Sequence, residues 1–306
     1  MPCVPFLRLP VVAVLLVAAI MFAAPARADL VIDDDAGRRV TLAAPARRIV
    51  SLAPHLTEVL FAAGVGDRVV GVVAYSDYPP AARALPQVGG YSSVDMEAIA
   101  ALRPDLVVAW KSGNRDANLD RLAALGIPVF VSEPRRLDDV ARSLEIFGRL
   151  GGNERGGRAA ADAFRTRKAA LAARYRARPA VRTFYQIWDK PLMTINGEHL
   201  ISDVMRLCGG ENVFAALPQL APTVGVEAVL AANPEVVVAS GMGEARPEWL
   251  DQWRRWPGLA AAASGNLYFV PPELIQRHTP RILDGAAQVC DFLDQARARR
   301  GAGAKR

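Results

Sequence analysis

The strongest constraint on this chain is that part of it occurs twice. Val94, Glu97, Ala98, Ala101, Pro104, Val107, Val108 and Ala109 recur, at one constant offset, as Val224, Glu227, Ala228, Ala231, Pro234, Val237, Val238 and Ala239. Gly113 and Gly243 extend the same register. Each copy reads as a helix, a proline-containing turn and a buried strand. Any two such units share an apolar pattern, but that generic likeness does not explain a glutamate at the same place in each. The repeat therefore implies two lobes of common topology, facing each other about a pseudo-twofold axis.

The rest of the sequence fits that frame. Asp35, Ala36 and Gly37 lie between two short β-prone runs in residues 31–42, which predicts a hairpin. Residues 48–52 predict a strand, followed by Pro54 and a helix with Leu56, Val59, Leu60 and Ala63 on one face and Gly64 as its stop. Strands are expected over 69–74, 105–110 and 128–131, with helices over 96–102 and 118–125. In the second half, strands are expected over 182–188 and 235–240, with a helix over 200–207 capped by Gly209 and Gly210. Thr279 and Pro280 look like the cap and first turn of a final helix. Strands alternating with helices at this spacing imply parallel sheets covered on both faces. Residues 153–178 are rich in Ala and Arg and free of proline, and so predict one long helix, a stiff connector between the halves.

The amino terminus has the layout of a secretory signal peptide. Arg8 precedes the apolar run 9–24, and the small-x-small tripeptide Ala26, Arg27, Ala28 follows, so cleavage is expected before Asp29. The run is shorter than the roughly 20 residues of a spanning helix. Cys3 precedes it, where it cannot serve as a lipid-anchor cysteine behind a signal, so a freely soluble exported protein is expected. Export leaves Cys208 and Cys290, which form either one disulfide or two separate buried thiols. The expected organisation is a signal peptide over 1–28, a first α/β lobe over 29–150, the connecting helix over 151–179 and a second α/β lobe over 180–306. The net charge of +6 comes from scattered arginines and a basic tail over 297–306 without interleaved aromatics, which argues against nucleic-acid binding.

Motifs for catalysis are missing. The chain has no G-x-S-x-G elbow, no phosphate-binding G-x-x-x-x-G-K-[ST] loop and no H-E-x-x-H helix, and an enzyme is not expected. His55, His199 and His278 are far apart in sequence, each reading as a surface or packed residue, and a dedicated metal site is disfavoured. Aromatic and polar residues instead gather where strands end. Tyr75, Ser76, Asp77 and Tyr78 follow one strand, Tyr91 sits in a Gly-rich loop, Trp110 closes a strand, and Tyr185 and Trp188 lie on or after the first strand of the second half. Ligands of open parallel sheets bind outside the carboxyl ends of the strands. Aromatic faces there suit a large, flat, partly apolar ligand, or alternatively plug the interface between lobes. Glu97 and Glu227 stand near helix starts, where the helix dipole favours an acid. Their matched placement also suits a twofold-symmetric membrane partner presenting basic sockets.

Six stretches, RIVSLAPHLTEVLFAAG, YSDYPP, EAIAALRPDLVVAWKSGN, LCGGENVF, EAVLAANPEVVV and TPRILDGAAQVC, resemble the periplasmic vitamin B12 (cobalamin) binding proteins of ABC importers. These lie within a wider group that also binds siderophores and haem. The resemblance covers nearly all of the chain after the signal and implies a helical-backbone (class III) periplasmic binding protein: two parallel-sheet lobes, one long helix and an interlobe cleft. It further implies Glu97 and Glu227 as contacts with a dimeric permease, and Cys208 and Cys290 as a disulfide. Tyr75, Trp110 and Arg277 match cleft positions, and Tyr91 stands where a cobalamin binder typically has Trp. Glu273 replaces an Asp, Leu274 replaces an aromatic, and Leu220, Ala221 and Pro222 lack an expected Trp, for which Trp188 is placed to compensate. The expected function is a monomeric periplasmic carrier of cobalamin or a related corrinoid, which is cargo and not a cofactor. A ferric siderophore or haem is the alternative cargo. His278, beside Arg277, is a candidate for contact with a metal centre in that cargo.

Overall fold

The computed structural model describes residues 29–241 and 246–303, with side chains as far as Arg300. The expected signal segment, its cleavage point and Gly243 lie outside the described residues. Among those residues no helix is long and apolar enough to cross a membrane.

A hairpin of β1 (Leu30–Asp33) and β2 (Arg39–Leu42) opens the fold, turning through Gly37 at φ 76°. The first lobe is a parallel sheet of β3 (Ile49–Ser51), β4 (Val69–Val72), β5 (Leu106–Trp110) and β6 (Val129–Ser132), in the spatial order β4-β3-β5-β6. The second is a parallel sheet of β7 (Val181–Gln186), β8 (Gly210–Asn212), β9 (Val236–Ala239) and β10 (Leu267–Phe269), in the order β8-β7-β9-β10. Numbering each set of four by its place in the chain, both sheets read 2-1-3-4. The sequence repeat is thus a topological one: each repeated helix, α2 (Met96–Ala101) or α7 (Val226–Ala232), feeds the third strand of its sheet. The residues of β5 and β9 are apolar on both faces and almost wholly buried, as strands covered by helices on both sides must be.

The remaining helices cover the sheets and join the lobes. In the first lobe these are α1 (Pro54–Ala62) and α3 (Asp116–Ala124). Helix α4 (Leu137–Leu150) was not anticipated from the sequence; its buried Leu137, Val140, Ala141, Leu144 and Phe147 follow helical spacing. It packs against the long helix α5 (Glu154–Tyr175), capped by the Asn153 side chain on the Gly156 N–H. Gly148 and Gly157 let the two backbones touch, since a Cβ on either would lie under 3.0 Å from the other's main chain. In the second lobe α6 (Leu200–Leu207) spans the residues read from sequence, α8 (Ala260–Ala263) and α9 (Pro272–Ile275) are short, and α10 (Ile282–Gly303) closes the chain.

Three local expectations are corrected. Gly210 does not cap α6 but begins β8; Gly209, at φ 72°, makes the turn alone. Thr279 does not cap the final helix with its side chain, because its Oγ1 is buried without a partner and the helix starts at Ile282. The strand expected to reach Trp188 ends at Gln186, where the chain bends to pair Trp188 with Met193. A disulfide joins Cys208, after α6, to Cys290 in α10, with Cα atoms 4.7 Å apart. One apolar core runs from β3 and α1 through α4 and α5 to α6, β9 and α10, so the lobes share packed material at their backs.

Candidate functional site: the junction of the two lobes

The 2-1-3-4 order leaves a crevice beyond the strand ends between the first and third strands of each sheet, where connections depart to opposite sides. In the first lobe that crevice is flanked by the start of α1, after β3, and by Trp110 at the end of β5. The Trp110 backbone N–H donates to Asn114 Oδ1 at 2.6 Å, while Asn114 Nδ2 donates to the carbonyls of Leu52 and Tyr91. Asn114 thereby ties the Tyr91 loop to the strand end. Gly113 is required here, because a Cβ would fall 1.9 Å from the indole. The Trp110 ring meets His55 edge-on at 5.2 Å and Tyr91 at 6.1 Å.

Tyr75 sits at the rim, 76% exposed and with φ 65°, a left-handed conformation uncommon for a bulky residue. Arg277 of the second lobe crosses to the first: its Nη1 donates to Asp77 at 2.6 Å and to Glu58 at 2.8 Å, and its Nη2 donates to the Tyr75 carbonyl. Arg281 completes the network by donating from Nε and Nη2 to the two oxygens of Glu58, with its guanidinium 3.9 Å above the Tyr78 ring. Glu58, on α1, is 3% exposed. A buried carboxylate fully occupied by two guanidiniums is costly to disturb, because removing it strands two charges.

The chain's three histidines, expected apart, meet at this junction. His55 is the second residue of α1 in the first lobe, His199 accepts the Ile201 N–H at the start of α6, and His278 follows Arg277. The His278 ring lies 5.5 Å from His55 and 5.8 Å from His199. Burial, aided by the Arg277 charge, depresses the His55 pKa to about 3, and burial with the Arg135 charge depresses that of His199 to about 4. Burial beside two other imidazoles drives His278 well below the ordinary value. All three rings are therefore neutral at pH 7. No group of three or more metal-binding side chains among the described residues is arranged to hold a bare ion.

The predicted cleft and permease residues separate into four sets. Tyr75, Tyr91, Trp110 and Arg277 gather around the junction. Trp188 is 36% exposed, with its Nε1 donating to the Lys190 carbonyl, and Glu273 is half-buried in the first turn of α9. Tyr185 is the correction: it is fully buried, its hydroxyl donates to Ser240 Oγ at 2.6 Å, and burial pushes its phenol pKa upward. Its ring is core and offers no face to a ligand. Glu97 and Glu227 are both exposed in the first turns of α2 and α7. Sequence reasoning missed Glu58 and Arg281; the available signal was one acid among the apolar residues of HLTEVLF.

A family model described as periplasmic binding protein matches residues 49–274. This chain belongs to that family. The vitamin B12-binding protein of Vibrio cholerae serotype O1 is 38% identical over 250 residues, which cover 81% of this chain and 90% of that one. The vitamin B12-binding protein of Yersinia pestis is 39% identical over 245 residues, covering 80% and 85%. Among solved structures, the periplasmic vitamin B12 binding protein BtuF of Vibrio cholerae superposes with a TM-score of 0.76 over 83% of this chain and 98% of that one. The periplasmic heme-binding protein RhuT from Roseiflexus, 23% identical with a TM-score of 0.72 over 82% of this chain and 98% of that one, shares the fold.

Proposed function

We propose that this periplasmic binding protein is the soluble component of an ABC importer, and that it holds cobalamin or a related corrinoid between its lobes. The observation that carries this reading is the aromatic wall at the strand ends, Tyr75, Tyr91 and Trp110, faced across the junction by Arg277. A broad, partly apolar macrocycle with polar edges suits such a wall. The kinship with proteins named for vitamin B12 binding supports the same cargo. Residues 1–28 then serve as the cleaved export signal, 29–150 and 180–306 as the two lobes, and 151–179 as the connector. The protein works as a monomer, and exposed Glu97 and Glu227 are its contacts with the two halves of a permease. Trp188 and Glu273 complete the cleft from the second lobe. Release follows when the importer parts the lobes, separating Arg277 from Asp77 first, since that pair is the exposed arm of the network.

A ferric haem or siderophore is the second reading. The observations that favour it are Leu274 and the Leu220, Ala221, Pro222 loop, where the resemblance implies aromatic residues that this chain lacks. Titrating the exported form with cyanocobalamin, cobinamide, ferric haem and a ferric hydroxamate, followed by tryptophan quenching, separates the two. Saturable corrinoid binding that weakens in Trp110→Ala upholds the proposal. Binding of haem or hydroxamate alone replaces the cargo, and no binding removes the function.

A further inference from the structure

The rim of the crevice is built by one lobe and braced by the other. Tyr75, Ser76, Asp77 and Tyr78 follow β4 of the first lobe, and that lobe fixes the base of the loop. The Ser76 N–H donates to the Val73 carbonyl, the Ser76 hydroxyl accepts from Thr57 Oγ1, and Arg83 Nε donates to the Asp77 carbonyl. The second lobe holds the tip. Arg277 donates to the Tyr75 carbonyl and to the Asp77 carboxylate, while the Arg281 guanidinium covers the Tyr78 ring.

Tyr75 most needs that brace. Its φ of 65° puts a bulky residue in the left-handed region, a conformation that persists only where its surroundings hold it. Because most of its side chain lies in solvent, packing does not aim the ring; the backbone bend does. Arg277 Nη2 grips that bend at the carbonyl, 3.2 Å away. Arg277 and Arg281 in turn carry like charges to one place, and Glu58 keeps them there. Its carboxylate accepts from Arg277 Nη1 at 2.8 Å and from Arg281 Nη2 and Nε at 2.8 and 2.9 Å. Glu58 is buried, so what it does for binding it does through the two arginines.

We propose that Glu58 and Arg277 are positioning residues for cargo binding: Glu58 holds Arg277, and Arg277 holds Tyr75 in its left-handed bend. The aromatic wall of the first lobe is then complete only while the second lobe is docked against it. Arg277 serves as a strut and not as a contact with cargo. Parting the lobes withdraws Arg277 and Arg281 together, so the wall loosens as the crevice opens. The statement about cargo rests on the corrinoid reading above, and the statement about the loop does not.

Amide hydrogen exchange of the exported form tests the loop without cargo. Two variants are compared with the unmodified protein. Glu58→Gln removes the anchoring charge. Arg277→Lys keeps a cation for Glu58 but lacks the planar fork that also reaches Asp77 and the Tyr75 carbonyl. In both, the Ser76 amide is expected to exchange about tenfold faster or more, with the β5 amides as slow as before. Unchanged exchange at Ser76 in Arg277→Lys, or an equal quickening in β5, overturns the inference. Cyanocobalamin affinity, read by tryptophan quenching, tests the link to binding through a double-mutant cycle. Glu58→Gln is expected to weaken binding about tenfold in the unmodified background and less than about twofold in Tyr75→Ala. A loss undiminished in Tyr75→Ala overturns the positioning role and leaves the corrinoid reading standing. No binding by the unmodified protein overturns the corrinoid reading, and the exchange result then decides the brace by itself.

Discussion

The two lobes carry the same strand order but end their equivalent strands differently. Trp110 closes β5; the matching position after β9 is Ser240. Trp110 turns its ring to the crevice against His55 and Tyr91. Ser240 turns inward, where its hydroxyl accepts from Tyr185 and from Gln276 Nε2. A repeated backbone thus makes an aromatic wall at the crevice in one lobe and a core anchor in the other. The charges divide in the same way: the first lobe supplies the carboxylates Glu58 and Asp77, and the second supplies Arg277 and Arg281. Shared topology fixes where a residue stands, and the residue itself decides what that place does.

Acid should test this division most severely, because the histidine cluster spans both lobes. Their folded pKa values lie below the unfolded value, so the unfolded chain binds more protons, and stability present above about pH 6.5 is lost as pH falls. Each histidine contributes about 1.4 kcal/mol per pH unit between its unfolded and folded values. Urea unfolding from pH 7 to 4 should show a steep loss that flattens in the triple variant His55→Gln, His199→Gln, His278→Gln. An unchanged slope would mean the rings are hydrated and not buried together.

Next in size is the carboxylate of the first lobe. Glu58→Ala leaves two guanidiniums of the second lobe without their buried partner and is expected to cost about 3–5 kcal/mol. Wild-type stability in this variant, measured by denaturant unfolding, would show that the lobes do not depend on each other through this network. At the aromatic wall proposed to hold the cargo, Trp110→Ala is expected to weaken corrinoid binding by about thirtyfold, an anchor-sized loss of about 2 kcal/mol. Trp188→Ala, at a more exposed ring, should weaken it only a few-fold, and a reversed order would move the main wall to the second lobe. The smallest difference lies at the repeated helices. Asp95 caps α2 through the N–H groups of Glu97 and Ala98, whereas Gly225 starts α7 with no side-chain cap. Asp95→Ala should cost about 1 kcal/mol, and Gly225→Ser should gain a few tenths.

How much of this was legible beforehand follows from the range over which each signal acts. The strands and helices that the sequence predicts, the repeat and the long helix α5 are local patterns of apolar spacing, turn residues and caps, and their ends lie within a few residues of those observed. Helix α4 was overlooked although its apolar residues recur at helical spacing, and the three-residue strands β8 and β10 carry too little pattern to be seen. Tyr185 was misassigned for a physical reason: a strand buried on both faces gives no alternation to tell a core ring from a cleft ring.

The sequence by itself determined that the chain forms two matched parallel-sheet lobes with aromatic residues at the strand ends, because period and turn chemistry act locally along the chain and a repeat shows as the same local pattern met twice. Only the tertiary structure decided which of those aromatics face the junction and that Glu58 meets Arg277 and Arg281. It alone also decided that three histidines far apart in the chain stand together. Those meetings follow from how the two sheets are set against each other across their shared core, and side-chain burial and pairing at that range leave no periodic mark in the sequence.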